Sequence, residues 1–225
     1  NHCNITYGHG DMRDAFEAAK GQLDFVSVTP HAMWPDIPGA DDPRLKWVID
    51  YHTGAFKRLR EGGYEKYRTS KYPDKKIAIV TCMDTRLVEL LPAALGIRNG
   101  DVKIIKNAGG TITNPFDSTM RSLLVAVYEL GVNEIMVIGH TGCGVQGMNA
   151  KEMLELMHER GVDEEHVQLM RHCGIDLDSW LHGFDDCGEA VKETVDLISH
   201  HPLMPKDVRT AGYIMDSETG ALTAL

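Results

Sequence analysis

The sequence lacks any hydrophobic run long enough to cross a membrane as a helix. A membrane span needs roughly 18 consecutive apolar residues or more, whereas apolar runs such as residues 77–80 and 135–138 have only the length of β-strands. The first residues, Asn-His-Cys-Asn, also lack the basic region and apolar segment of a secretory signal. We therefore expect no membrane partner and a cytoplasmic protein.

Basic residues are scarce relative to acidic ones. The chain has 23 Lys and Arg against 33 Asp and Glu, which gives a formal net charge of -10 at pH 7. Proteins that bind nucleic acids or anionic membranes normally carry a basic face. We therefore expect no nucleic-acid partner, although a small anionic substrate stays possible because a site can be locally positive.

Cysteines are few, odd in number and widely spaced: Cys3, Cys82, Cys143, Cys173 and Cys187. This pattern argues against a disulfide framework and for a reducing compartment. Free cysteines are commonly buried, so we expect Cys173 and Cys187, which fall in predicted helices, to be structural. The 11 histidines are a surplus that makes metal chemistry worth considering.

From residue 76 onward, short apolar segments alternate with amphipathic ones. We predict strands over residues 77–81, 102–106, 134–139, 208–215 and 221–225, and helices over residues 87–95, 117–130, 149–170 and 185–200. This alternation indicates an α/β fold with a mainly parallel sheet flanked by helices. Ligands of such sheets bind beyond the carboxyl ends of the strands.

The N-terminal part of the chain has a different composition. It contains four of the nine prolines and a predicted helix over residues 43–60, in which Asp42 caps and Pro43 takes the first position. We therefore predict two parts: an N-terminal segment over residues 1–63, which forms an atypical helical arm, and a main domain over residues 64–225.

Soft metal ligands follow two of the predicted strands. Cys82 comes directly after the first strand, and His140 and Cys143 share a tight loop after the third. A Cys2His set is typical of a catalytic zinc site that leaves one coordination position open. Thiolates and imidazole also favour zinc over magnesium or calcium. The sequence therefore predicts Zn²⁺ on these three residues.

Two further motifs lie beside the predicted ligands. Asp84 and Arg86 form either a surface ion pair, worth about 0–1 kcal/mol, or a catalytic pair. We favour the catalytic pair, in which Asp84 faces the open zinc position and Arg86 orients its carboxylate and keeps it ionised. Gly109 and Gly110 follow the second strand, where backbone N–H groups could hold the oxygens of a small anion.

Together these motifs resemble the β-class carbonic anhydrases over about residues 64–225. The matching segments are residues 82–86, 107–110 and 140–144. The resemblance implies zinc on Cys82, His140 and Cys143, with Asp84 and Arg86 as the catalytic dyad. It also implies a four-stranded parallel sheet with an added antiparallel strand, and a homodimer or a tetramer of paired dimers.

The function implied by this resemblance is the reversible hydration of carbon dioxide to bicarbonate and a proton, through attack by zinc-bound hydroxide. Two alternatives stay open on the same scaffold. One is hydrolysis of carbonyl sulfide or carbon disulfide, which relatives of this family carry out on similarly linear molecules. The other is a non-catalytic zinc-binding or bicarbonate-binding protein, which the presence of both Asp84 and Arg86 disfavours.

The first sixty residues resemble instead the beginning of a PHP-type metal hydrolase. His2, His9 and His31 correspond to early metal-ligand positions of that family. That family is a distorted β/α barrel far longer than this segment, and one or two barrel units can neither close nor bury their strands. We therefore expect no working phosphoesterase site in residues 1–60.

Overall fold

The structure, a computed structural model, describes Arg60 and residues 62–225. The chain divides into two compact units, Asn1–Arg68 and Thr69–Leu225. In the first unit, Tyr64–Tyr67 form a short 3-10 helix. The predictions for residues 1–59, including the helix and the three histidines, lie outside the described residues.

The second unit is a five-stranded sheet with helices. Its strands are β1 (Ile77–Cys82), β2 (Val102–Asn107), β3 (Glu134–His140), β4 (Arg209–Met215) and β5 (Leu222–Ala224). Its helices are α1 (Leu87–Leu95), α2 (Ser118–Tyr128), α3 (Ala150–Glu159), α4 (Glu164–His172), α5 (Leu177–Trp180) and α6 (Cys187–Ser199). The strand order is β2-β1-β3-β4-β5, in which only β5 is antiparallel. The predicted parallel sheet with an added antiparallel strand is confirmed.

The sheet is covered on both faces, as parallel sheets usually are. Ala78, Ile79 and Val80 in β1 are at most 1% exposed. Ile79 packs in a cluster with Leu87 and Leu91 of α1, whereas Val80 packs in a cluster that includes residues of α2 and α6. Burying an aliphatic side chain of this kind contributes about 1.5–3 kcal/mol, so β1 is firmly held between its neighbours β2 and β3.

The strand register brings three strand ends together. Cys82 at the end of β1 pairs with Asn107 at the end of β2, and Thr81 pairs with Ile138 near the end of β3. Because β1 lies between β2 and β3, the loops that follow these three strands meet at one edge of the sheet. Residues far apart in sequence are therefore neighbours there.

One predicted helix is wrong in its extent. The segment predicted as a single helix over residues 149–170 forms two helices, α3 and α4. Gly161 separates them in a left-handed conformation with φ +90°, and the Val162 N–H donates to the carbonyl of Met157 at 3.0 Å. A left-handed glycine is a common helix terminator.

Among the described residues, we find no helix with the length and apolar character that a membrane crossing requires.

Candidate metal centre

Cys82, His140 and Cys143 lie together at the carboxyl edge of the sheet, and we refer to them as the metal cluster. All three are buried, with at most 5% exposure. Their potential ligand atoms lie within 4.8 Å of one another. The fold thus brings together the three residues that the sequence singled out as ligands.

The donor set and spacing of the metal cluster fit a zinc ion. Two sulfur atoms at zinc–sulfur distance and tetrahedral angle lie about 3.8 Å apart, and the Sγ atoms of Cys82 and Cys143 are 3.8 Å apart. Burial raises the pKa of the Cys143 thiol to about 11. A bound zinc ion opposes this effect, because it deprotonates a coordinating thiol.

The ring of His140 is oriented for metal binding. Its Nδ1 lies 3.0 Å from the carbonyl oxygen of Thr141, and because a carbonyl only accepts, Nδ1 carries the proton. The lone pair is then on Nε2, which is buried and has no hydrogen-bond partner among the described residues. A buried acceptor without a partner is costly, and a metal ion would satisfy it. Metal-ligating histidines are commonly oriented by such a bond from the other ring nitrogen.

The dyad lies beside this unpartnered nitrogen. Arg86 donates from Nε to Oδ1 of Asp84 at 3.0 Å and from Nη2 to Oδ2 at 2.8 Å. The Arg86 side-chain hydrogen bonds are the largest reason why the pKa of the Asp84 carboxyl is held well below its usual range. Oδ2 of Asp84 is 3.9 Å from Nε2 of His140, so an ionised carboxylate adjoins the metal cluster.

Arg86 also contacts two other loops at this edge. Its Nη2 donates to the carbonyl of Gly142 at 2.8 Å, and its Nη1 donates to Oγ of Ser217 at 3.1 Å. Ser217 lies between the strands predicted over residues 208–215 and 221–225, and the sequence-based prediction did not include it in the site. Its position just after β4 could have indicated a role in the site, because ligands bind beyond the carboxyl ends of the strands and this applies to β4 as well.

Gly110 allows the loop after β2 to lie directly against β1, and Gly109 allows Phe184 to pack closely on the same loop. Both glycines are buried and have positive φ angles, +83° for Gly109 and +69° for Gly110. A Cβ atom on Gly110 would lie 2.6 Å from the backbone nitrogen of Cys82, and one on Gly109 would lie 2.9 Å from Cε1 of Phe184. Close packing beside a metal ligand is therefore a function of this glycine pair that the sequence did not reveal, and anion binding stays a prediction.

The two other cysteines among the described residues, Cys187 and Cys173, differ in their burial. Cys187 is half-buried at the start of α6, where its Sγ lies 3.7 Å from the carbonyl oxygen of His140. A Cβ atom on Gly139 would lie 2.7 Å from the same Sγ, so this glycine lets α6 approach β3. Cys173 follows α4 at the surface and is exposed, so burial, the reason for expecting it to be structural, does not apply to it.

A parallel sheet with a Cys2His cluster and a carboxylate at its carboxyl edge is typical of a zinc-dependent enzyme. A family model described as carbonic anhydrase matches residues 77–222. The chain belongs to this family, and its fold and site agree with the β-class that the sequence motifs indicated.

Individual relatives agree with this assignment. The Bacillus subtilis (strain 168) protein named "Putative carbonic anhydrase YtiB" is 55% identical over 178 residues, which cover 79% of this chain and 94% of the relative. The crystal structure of β-carbonic anhydrase isoform I from Trichomonas vaginalis has a TM-score of 0.72 and 33% identity, covering 78% of this chain and 96% of that one. A carbon disulfide hydrolase from Acidianus sp. (strain A1-3) is 31% identical over 188 residues, covering 78% of this chain and 89% of the relative.

The family match falls within the second unit of the chain. The resemblance of residues 1–60 to a PHP-type metal hydrolase gains no support from the comparisons, since the matching family covers residues 77–222. The candidate ligands His2, His9 and His31 also lie outside the described residues. The functional case therefore depends on the carbonic anhydrase part of the chain.

Proposed function

We propose that this protein catalyses the reversible hydration of carbon dioxide to bicarbonate and a proton, with a zinc ion held by Cys82, His140 and Cys143. The observation that carries the proposal is the buried, unpartnered Nε2 of His140, 3.9 Å from the ionised Asp84 carboxylate and grouped with two thiols. When bound, zinc lowers the pKa of a coordinated water toward neutrality and thus supplies hydroxide at working pH.

Asp84 orients the attacking oxygen in this proposal. Because Arg86 keeps its carboxyl ionised, Asp84 accepts a hydrogen bond and does not donate one. Accepting the proton of the nucleophile's O–H group directs an oxygen lone pair away from Asp84 and toward the substrate carbon. The two hydrogen bonds from the Arg86 side chain fix both carboxylate oxygens, so this direction is set before substrate arrives.

Gly109 and Gly110 are proposed to bind oxygens of the substrate or product through backbone N–H groups. Their loop is buried and lies against Cys82, next to the metal cluster. Carbon dioxide and bicarbonate are small enough for such a site. The glycines would position the substrate or product and would not transfer a proton, because they carry no titratable group.

Hydrolysis of carbon disulfide or carbonyl sulfide is the second candidate. Relatives named carbon disulfide hydrolase are similar to this chain at 31% identity over most of its length, and their named substrate is a linear triatomic molecule like carbon dioxide. A non-catalytic zinc-binding or bicarbonate-binding role is disfavoured, because the dyad is fully assembled beside the metal cluster.

We propose that the enzyme works as a homodimer that can pair into tetramers, as the motif resemblance implies. The N-terminal segment over residues 1–63 would be an appendage to the catalytic domain over residues 64–225.

A cytoplasmic location agrees with the free thiols of Cys82 and Cys143, which a reducing compartment preserves. Light scattering of the full chain tests the dimer directly by its mass in solution.

The decisive test is stopped-flow carbon dioxide hydration, with the zinc content measured on the same sample. We expect about one zinc ion per chain and turnover that the variant Asp84→Ala lowers about 100-fold or more, while zinc stays bound. Asp207→Ala, which removes an exposed carboxylate after α6, is the matched control and should keep full activity.

The same samples separate the alternatives. Hydrogen sulfide release from carbon disulfide without carbon dioxide hydration would favour the second candidate. Zinc binding with no turnover of either substrate would contradict both enzymatic hypotheses. Absence of zinc from the purified, zinc-supplemented protein would contradict the assignment of the metal cluster.

A further inference from the structure

Ser217 lies at the same edge of the sheet as the metal cluster. It follows β4, whose last residue, Met215, pairs with His140, and it is only 7% exposed. The turn that contains it is fixed by Asp216, whose Oδ1 accepts the backbone N–H groups of Glu218 at 3.0 Å and Thr219 at 2.7 Å. Ser217 is therefore held in one place by its own turn.

The Ser217 hydroxyl has a full set of hydrogen bonds. Its oxygen accepts from Nη1 of Arg86 at 3.1 Å, and its proton goes to the carbonyl oxygen of Thr141 at 2.9 Å. The hydroxyl of Thr141 lies 3.1 Å away and itself accepts the Ser217 backbone N–H at 3.0 Å. Because the carbonyl only accepts, the two lone pairs of Ser217 are left for Arg86 and the Thr141 hydroxyl.

We propose that Ser217 is a positioning residue for the dyad. This inference rests on the proposed function of Asp84, and it assigns to the β4–β5 turn a part in the reaction. Ser217 acts on Arg86 and not on substrate: its hydroxyl fixes the one end of the guanidinium that does not face Asp84. Arg86 needs such an anchor because its side chain is 45% exposed and long charged side chains lose much rotamer freedom when ordered.

The contact with Thr141 connects this anchor to the metal cluster. The carbonyl oxygen of Thr141 accepts both the Ser217 hydroxyl and Nδ1 of His140. The Arg86 guanidinium, through Ser217, and the His140 ring are therefore both positioned by the same carbonyl oxygen. The Asp84 carboxylate is held relative to Nε2 of His140 through this chain of contacts, which is the geometry that the proposed reaction uses.

A double-variant comparison tests whether Ser217 acts through Arg86. Ser217→Ala should lower kcat about 10-fold, since a hydrogen bond to a charged group is lost, while the zinc content stays unchanged. In an Arg86→Ala background, Ser217→Ala should cause no further loss of kcat, because the group that it positions is gone. Equal losses in both backgrounds would overturn the proposal and leave Ser217 as a structural residue.

A second readout does not depend on activity. The Nε–H of Arg86 donates to Asp84, so its exchange with solvent, followed by ¹⁵N NMR on the zinc-loaded protein, reports how well the guanidinium is held. We expect about 10-fold faster exchange in Ser217→Ala. Unchanged exchange would contradict the proposal, even if the wild-type protein showed no turnover and the proposed function itself had failed.

Two further variants keep the test interpretable. Thr210→Val removes another buried hydroxyl of the β4 region, one without a hydrogen-bond partner among the described residues, and should change neither readout. If Ser217→Ala does not fold, Ser217→Cys keeps the side-chain volume but offers a weak donor and acceptor. It should then show the same loss of kcat and the same faster exchange, and normal values would overturn the proposal.

Discussion

The metal cluster and the dyad share one edge of the sheet, yet they are held in different ways. Cys82, His140 and Cys143 are almost fully buried and are fixed by strand ends and core packing. The side chains of Asp84 and Arg86 are 17% and 45% exposed and are fixed by hydrogen bonds to each other and to two other loops. Because the metal cluster and the dyad depend on different contacts, a change in one part should impair metal binding or catalysis without impairing the other.

The largest effect should come from breaking the metal cluster with Cys143→Ser. A neutral hydroxyl is a poor substitute for a thiolate ligand, so we expect zinc well below one ion per chain and carbon dioxide hydration near the uncatalysed rate. Elemental analysis and stopped-flow assays measure both. Cys173→Ser, which changes an exposed cysteine, is the control, and full zinc with full activity in Cys143→Ser would remove Cys143 from the ligand set.

A smaller effect, on stability, should come from Gly110→Ala. Its Cβ would lie 2.6 Å from the Cys82 nitrogen, so the loop must move or the end of β1 must shift, and we expect the free energy of unfolding to fall by roughly 2–4 kcal/mol. Denaturant unfolding of the zinc-loaded protein measures this change.

The matched control for that change is Gly131→Ala. Gly131 also has a positive φ, +73°, but a Cβ there would meet nothing within 4 Å. Gly131→Ala should therefore lower the free energy of unfolding only by the backbone strain, about 1–2 kcal/mol. Equal losses in the two variants would show that the close approach beside Cys82 contributes nothing beyond strain.

The same comparison explains what the sequence could and could not predict. The metal cluster was predictable because its residues directly follow buried apolar runs, and parallel strands bring their carboxyl ends to one edge. The support of the dyad was not, because Ser217 lies 131 positions from Arg86 and looks like an ordinary turn residue. The split of the predicted helix over residues 149–170 is difficult to predict, because a single glycine such as Gly161 within a periodic segment can also lie inside a helix.

The smallest of these effects should come from Arg86→Lys, which changes the dyad and leaves the metal cluster intact. Lysine keeps the positive charge but cannot donate to both Asp84 oxygens while also reaching Gly142 and Ser217. We expect kcat to fall about 10-fold with the zinc content unchanged. Arg209→Lys alters an exposed ion pair with Glu134 and should leave kcat as it is. Zinc loss in Arg86→Lys would break the comparison, since it would mean that the hydrogen bonds of Arg86 to the Gly142 loop also hold the ligands His140 and Cys143 in place.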